Sequence, residues 1–91
     1  MKTEKDPMQI IAHYTVRDYA AFRTAFDADA EDRAHNGLGL MQLWHENGSS
    51  AWALFDVTDP TAARAYLDGA AGVFNSQAGV TATSFHYVKT A

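Results

Sequence analysis

The chain has no cysteine, only two prolines and few basic residues. Without cysteine there are no disulfides, no thiolate nucleophile and no Cys-based zinc or iron–sulfur site. Seven Lys and Arg against eleven Asp and Glu leave a net charge of −4 and a pI near 5.3. The basic residues are scattered, whereas phosphate binding needs them clustered, so nucleic acid and anionic membrane surfaces are excluded as partners. No apolar run approaches the roughly 18 residues of a membrane-spanning helix. The opening Met1 to Pro7 is charged and has no apolar segment behind it, unlike a secretory signal. The expectation is a cytoplasmic protein with a flexible polar leader over 1–7, dispensable for folding, and one domain over 8–91. At 91 residues and 47% hydrophobic, one small core is all the chain can build.

The sequence states one pattern twice. Asp18-Tyr19-Ala20-Ala21-Phe22 opens a helical stretch that stops at Asn36-Gly37-Leu38, and Asp59-Pro60-Thr61-Ala62-Ala63 opens another that stops at Ala78-Gly79-Val80. Both Asp residues are good N-caps, Pro60 suits a first helical position, and a glycine supplies the left-handed stop. In the first helix Tyr19, Phe22, Ala25, Phe26 and Ala30 recur at three- and four-residue steps, which gives one apolar stripe. Gly69 and Gly72 are expected to divide the second helix. Strands are expected over Met8 to Val16, Leu38 to Glu46, Ala51 to Val57 and Gly79 to Lys89. Asn47-Gly48 is the hairpin turn between the middle two.

The order β-α-β-β-α-β predicts a ferredoxin-like α+β fold: a four-stranded antiparallel sheet with two helices on one face. Counting inward from each glycine stop places Leu38, Leu40, Gln42 and Trp44, with Val80, Ala82, Ser84 and His86, toward the helices. Ile10, Ala12, Tyr14, Val16, Ala53, Phe55 and Val57 join them. Ile11, His13, Met41, Leu43, His45, Trp52, Leu54, Phe85 and Tyr87 then occupy the opposite face. That face is too apolar to stay in water, so a second copy is expected to cover it.

Val16-Arg17-Asp18-Tyr19-Ala20-Ala21-Phe22-Arg23 resembles the V-x-D-Y-x-x-W/F opening of small dimeric α+β-barrel proteins. Asn36-Gly37-Leu38, Phe55-Asp56-Val57-Thr58-Asp59 and Ala78-Gly79-Val80 stand where that superfamily has its two glycine stops and its third strand. The superfamily holds antibiotic-biosynthesis monooxygenases, polyketide-cyclase-like and stress-responsive barrels, and haem-degrading enzymes. The resemblance implies a homodimer whose two sheets close into one barrel. Haem-degrading members carry an Asn in the first strand, a Trp ending the third and a His on the second helix. Here Ala12, Val57 and a histidine-free stretch from Asp59 to Gly79 stand instead, which argues against haem.

The resemblance further implies a cofactor-independent monooxygenase- or cyclase-like enzyme acting on a hydrophobic aromatic molecule between sheet and helices. The alternative is a non-catalytic barrel that binds a small ligand or serves a structural role. For the enzyme, His86 and Tyr14 are the expected proton-handling pair, because histidine titrates near neutrality and the first and last strands are neighbours. Trp44 and Phe55 would hold the substrate's flat face, with Gln42 and Ser84 as hydrogen-bonding groups. No metal and no cofactor is expected, since the sequence shows no close-set His, Asp and Glu cluster and no Gly-rich phosphate loop.

Overall fold

The structure, a computed structural model, describes residues 8–89 and 91, with the side chains of 70–77 left out of the description. Residues 1–7, and with them the expected leader, lie outside it. The elements run β1 (Met8–Val16), α1 (Tyr19–Ala28), α2 (Ala30–His35), β2 (Leu38–Glu46), β3 (Ser50–Val57), α3 (Pro60–Ala78) and β4 (Val80–Lys89). The four strands form one sheet in the order β2-β3-β1-β4, every pair antiparallel. This is the expected ferredoxin-like α+β arrangement.

Local chemistry sets the boundaries. The Asp18 carboxylate accepts from the Ala20 amide at 3.0 Å, and Asp59 does the same for Ala62 at 3.1 Å, so α1 and α3 both begin on a satisfied donor. Asn47 and Gly48 both have positive φ, at 60° and 71°, which matches the twist of the flanking strands. Gly37, at φ +83°, stops α2 where the chain passes close to the start of α3; a Cβ there would lie 2.9 Å from Asp59 atoms.

Two helix expectations are corrected. The first helical stretch is divided at Asp29, whose φ of −90° and ψ of 5° leave the helical well. The second is not divided: α3 is continuous over 19 residues through Gly69 and Gly72. A single glycine costs a helix only about 1 kcal/mol, which packing on a sheet easily outweighs.

The core lies between helices and sheet. Ile10, Ala12, Tyr14 and Val16 of β1 and Ala51, Ala53 and Phe55 of β3 are buried, with Phe22 and Phe26 of α1 against them. Along these central strands the alternation holds as expected. It does not hold along β2 and β4. Leu40 pairs with Phe55 and Gln42 with Leu54, so Met41 is an extra residue in β2; Val80 pairs with Val16 and Ala82 with Thr15, so Thr81 is extra in β4. One inserted residue moves every later side chain to the other face.

The consequences are specific. Leu43, Phe85 and Tyr87, expected on the outer face, pack against the core, and His45 stacks on Tyr19 of α1 at 4.5 Å. Gln42, Trp44, Ser84 and His86, expected toward the helices, share rows with Leu54, Trp52, His13 and Ile11 on the open face. The sheet thus keeps an apolar open face, but with a revised membership: Ile11, Met41, Trp44, Trp52, Leu54 and Val88.

Candidate functional site

Of the six site residues expected from the sequence, Tyr14 and Phe55 lie in the helix-facing layer, where they were placed. Trp44, Gln42, Ser84 and His86 do not, because the bulges at Met41 and Thr81 turn them outward. His86 pairs with Ile11, a residue of the open face, whereas Tyr14 is 4% exposed beneath α1. The sheet itself therefore separates the expected proton-handling pair.

An aromatic layer surrounds Tyr14. Its ring lies 5.1 Å from Phe22, 6.2 Å from Phe26 and 6.3 Å from Phe85, the last two edge-on. Phe22 and Phe26 stack at 5.3 Å, and Phe26 lies 6.2 Å from Phe55. Such offset and edge-on contacts complement the ring quadrupoles.

Into this layer the fold brings a charge that sequence reasoning missed. Arg33 of α2 is 6% exposed, its guanidinium 3.8 Å above the Phe26 ring and 5.9 Å from that of Phe55. Its Nη1 donates to the Phe26 carbonyl at 2.7 Å, satisfying an acceptor near the end of α1. Desolvation lowers the Arg33 pKa, while Tyr14, Tyr66, Asp29 and Asp27 act to raise it. Tyr66 of α3 completes the group. Desolvation first, then Asp29 and Asp32, push its phenol up, and a hydrogen bond to Asp29 adds to this. The signal for Arg33 was available: it follows Phe26 by two helical turns, on the same stripe as Phe22.

Burial holds the Tyr14 phenol well above its ordinary range; Arg33 opposes the shift and Tyr66 adds to it. The sign of the linkage follows. An unfolded tyrosine ionises near pH 10, so the contribution of neutral Tyr14 is complete below about pH 10 and is lost as pH rises toward the folded value. Urea midpoints should fall between pH 9 and pH 11, and Tyr14→Phe should reduce that fall without abolishing it, since Tyr66 shifts in the same direction. An unchanged alkaline limb in Tyr14→Phe would contradict the burial argument.

On the open face, His13 packs on Trp52 with ring centroids 4.1 Å apart, and Trp52 Nε1 donates to Glu46 Oε1 at 3.2 Å. Among the described residues no group of three or more His, Asp or Glu side chains is arranged to hold a metal ion. None of the described helices is long and apolar enough to cross a membrane.

No protein-family model matches the chain, and no curated protein does. Solved structures do. SnoaB, a cofactor-independent oxygenase from Streptomyces nogalater, is 19% identical; the match covers 96% of this chain and 95% of that one, with a TM-score of 0.70. The Pseudomonas aeruginosa protein PA3566 matches over 99% of both chains at 11% identity and a TM-score of 0.74. A Nitrosomonas europaea protein, provisionally named an antibiotic biosynthesis monooxygenase, matches at 9% identity over 99% of this chain and 95% of its own, with a TM-score of 0.68. The chain therefore shares the ferredoxin-like α+β fold of these structures, a four-stranded antiparallel sheet with its helices packed against it.

Proposed function

We propose that the protein is a homodimeric barrel that acts, without cofactor, as a monooxygenase- or cyclase-like enzyme on a hydrophobic aromatic molecule held between helices and sheet. The observation that carries this reading is the aromatic layer of Tyr14, Phe22, Phe26, Phe55 and Phe85 built around the buried Arg33. A flat apolar ligand would replace ring–ring contacts of this kind by contacts like them, and apolar walls with a few convergent polar groups suit small-molecule binding. SnoaB, with the same fold, is a cofactor-independent oxygenase, which supports the choice of chemistry. In this reading Phe55 forms a wall and the neutral Tyr14 hydroxyl is the polar group of the layer.

The dimer rests on the open face. Ile11, Trp52 and Leu54 are half-buried there and Trp44 is 49% exposed. Covering each such side chain contributes about 1.5–3 kcal/mol before association entropy is charged. Light scattering at micromolar concentration should therefore give twice the chain mass for the wild type, and the chain mass for Trp52→Glu. A stable wild-type monomer would remove the dimer from the proposal.

A second reading, a non-catalytic ligand-binding barrel, is favoured by one observation: Tyr14 and His86 lie on opposite faces. Oxygen uptake measured with a panel of hydroxylated polycyclic aromatics separates the two. Turnover that Tyr14→Phe diminishes supports the enzyme. Saturable binding with neither oxygen uptake nor product supports the second reading.

A further inference from the structure

The open face of the sheet carries titratable groups among its apolar side chains. His13 of β1 stands across from Trp52 and Ser84, and His86 of β4 stands across from Ile11, so both imidazoles belong to rows of that face. They are diagonal neighbours on adjacent strands, about 7–8 Å apart. His13 is half-buried against the Trp52 ring, with centroids 4.1 Å apart, whereas His86 is exposed. Two carboxylates share the face. Glu46 accepts from Trp52 Nε1, and Asp56 lies in the row of Gln9 and Gly39 toward one end of the sheet. Neither holds a histidine: among the described residues the ion pair present joins Arg23 and Asp27 of α1. No Lys or Arg stands in these rows among the described residues.

We infer that assembly of two copies is controlled by pH: His13 and His86 must be uncharged for a second copy to cover the open face, so the dimer is stable above about pH 7 and separates in mild acid. This rests on the dimer reading above and adds its regulation. In the separate chain water reaches His86 and, in part, His13, and either can take up a proton. Under a second sheet that proton would be held among Ile11, Trp44, Trp52, Leu54 and Val88, where a charge without a partner is strongly disfavoured. Protonating both imidazoles adds like-charge repulsion across the diagonal, and the identical face of the second copy adds more. Net charge acts the other way, since protons reduce the −4 on each chain and ease repulsion between copies. That effect is spread over the surface and screened beyond about 8 Å at physiological salt, so the local loss of hydration wins. The covered face binds fewer protons than two separate faces. Association therefore weakens as pH falls through the range where free imidazole titrates, near about 6.5.

Sedimentation equilibrium of the full chain at about pH 8 and about pH 5.5, at one ionic strength, tests this. Four imidazoles per dimer, each barred from protonation, set a ceiling of about 10⁴-fold on the change one pH unit below 6.5. With His86 on an edge strand, the dissociation constant should rise about 100-fold. The double variant His13→Gln with His86→Gln should stay within about threefold across the same interval. A wild-type monomer at about pH 8 removes the dimer reading and this one with it. A dimer with the same constant at both pH values leaves the dimer reading standing and overturns this one, as does a pH dependence that survives in the double variant. Circular dichroism at both pH values reports folding. If wild-type dissociation comes with unfolding, the comparison still decides, because a chain failing in acid for other reasons fails in the double variant too. Should the double variant not fold or not dimerise at about pH 8, His86→Gln alone decides. Its change in the logarithm of the dissociation constant should be roughly half that of the wild type, and an undiminished change counts against the inference.

Discussion

Phe26→Ala should lower the melting temperature by at least about 12 °C, the larger of the two stability effects expected here. Phe26 is 1% exposed and touches Phe22, Tyr14, Phe55 and the Arg33 guanidinium. Removing a buried phenylalanine ring costs about 3–5 kcal/mol through lost transfer energy and the cavity left behind. In a domain of this size each kcal/mol moves the midpoint by about 4–8 °C. The substitution also strips from Arg33 the ring that covers one face of its guanidinium. Since small domains hold about 5–15 kcal/mol in total, a marginal fold would not survive this change. Phe26→Leu, which keeps most of the volume, should lose roughly half as much. A calorimetric shift below about 5 °C for Phe26→Ala would mean that α1 can collapse onto β1 and β3 and that the layer is not tightly packed.

Gly37→Ala should be nearly as damaging, for a different reason. The residue combines φ +83° with a close approach to the start of α3. A Cβ would lie 2.9 Å from both the Cβ and the carbonyl oxygen of Asp59 and 3.0 Å from its amide nitrogen. Its carbonyl accepts from the Thr58 amide at 2.9 Å, so the chain cannot move aside without losing that bond. The left-handed backbone alone costs a non-glycine residue about 1 kcal/mol or a little more, and the clash with backbone atoms brings the total to about 3 kcal/mol. Gly79 is the internal control. Its φ is +72°, yet nothing lies within 4 Å of the position a Cβ would take. Gly79→Ala should therefore cost about 1 kcal/mol. Chemical denaturation of the two variants side by side measures the contact at Gly37 as their difference. Equal losses would show that backbone conformation alone matters at both stops.

The two glycines mark what was legible from local chemistry. Asp18 and Asp59 as caps, Gly37 and Gly79 as stops, and the Asn47-Gly48 turn each act through atoms a few residues away, so their meaning survives without knowledge of the fold. From them follow the element order, the antiparallel sheet, the adjacency of β1 and β4, and strand limits correct to within a residue or so. Tyr14 and Phe55 were legible for the same reason: β1 and β3 are the central strands, where both neighbours enforce a plain alternation.

The outward turn of Trp44, Gln42, Ser84 and His86 was not legible by counting from a glycine. The extra residues Met41 and Thr81 sit in β2 and β4, the two edge strands, each paired on one side only. An edge strand can accept an unpaired residue because no second neighbour holds its register. Side-chain size carried a hint, since Phe85 and Tyr87 are larger and more apolar than Ser84 and His86, and the core takes the bulkier set. Arg33 lay on a stripe the sequence already displayed. That it would be buried against Phe26 and Phe55 depended on how the chain passes from α1 through Asp29 into α2, which is a matter of tertiary packing.

By itself the sequence determined the repeating β-α-β plan, its punctuation and the apolar stripe of α1, because caps, turns and periodicity are properties of short segments. Only the tertiary structure decided which face of β2 and β4 looks inward, and that a cation rather than a histidine stands in the aromatic layer. Both depend on hydrogen bonds and contacts between strands and helices distant in the chain, and no local period encodes those.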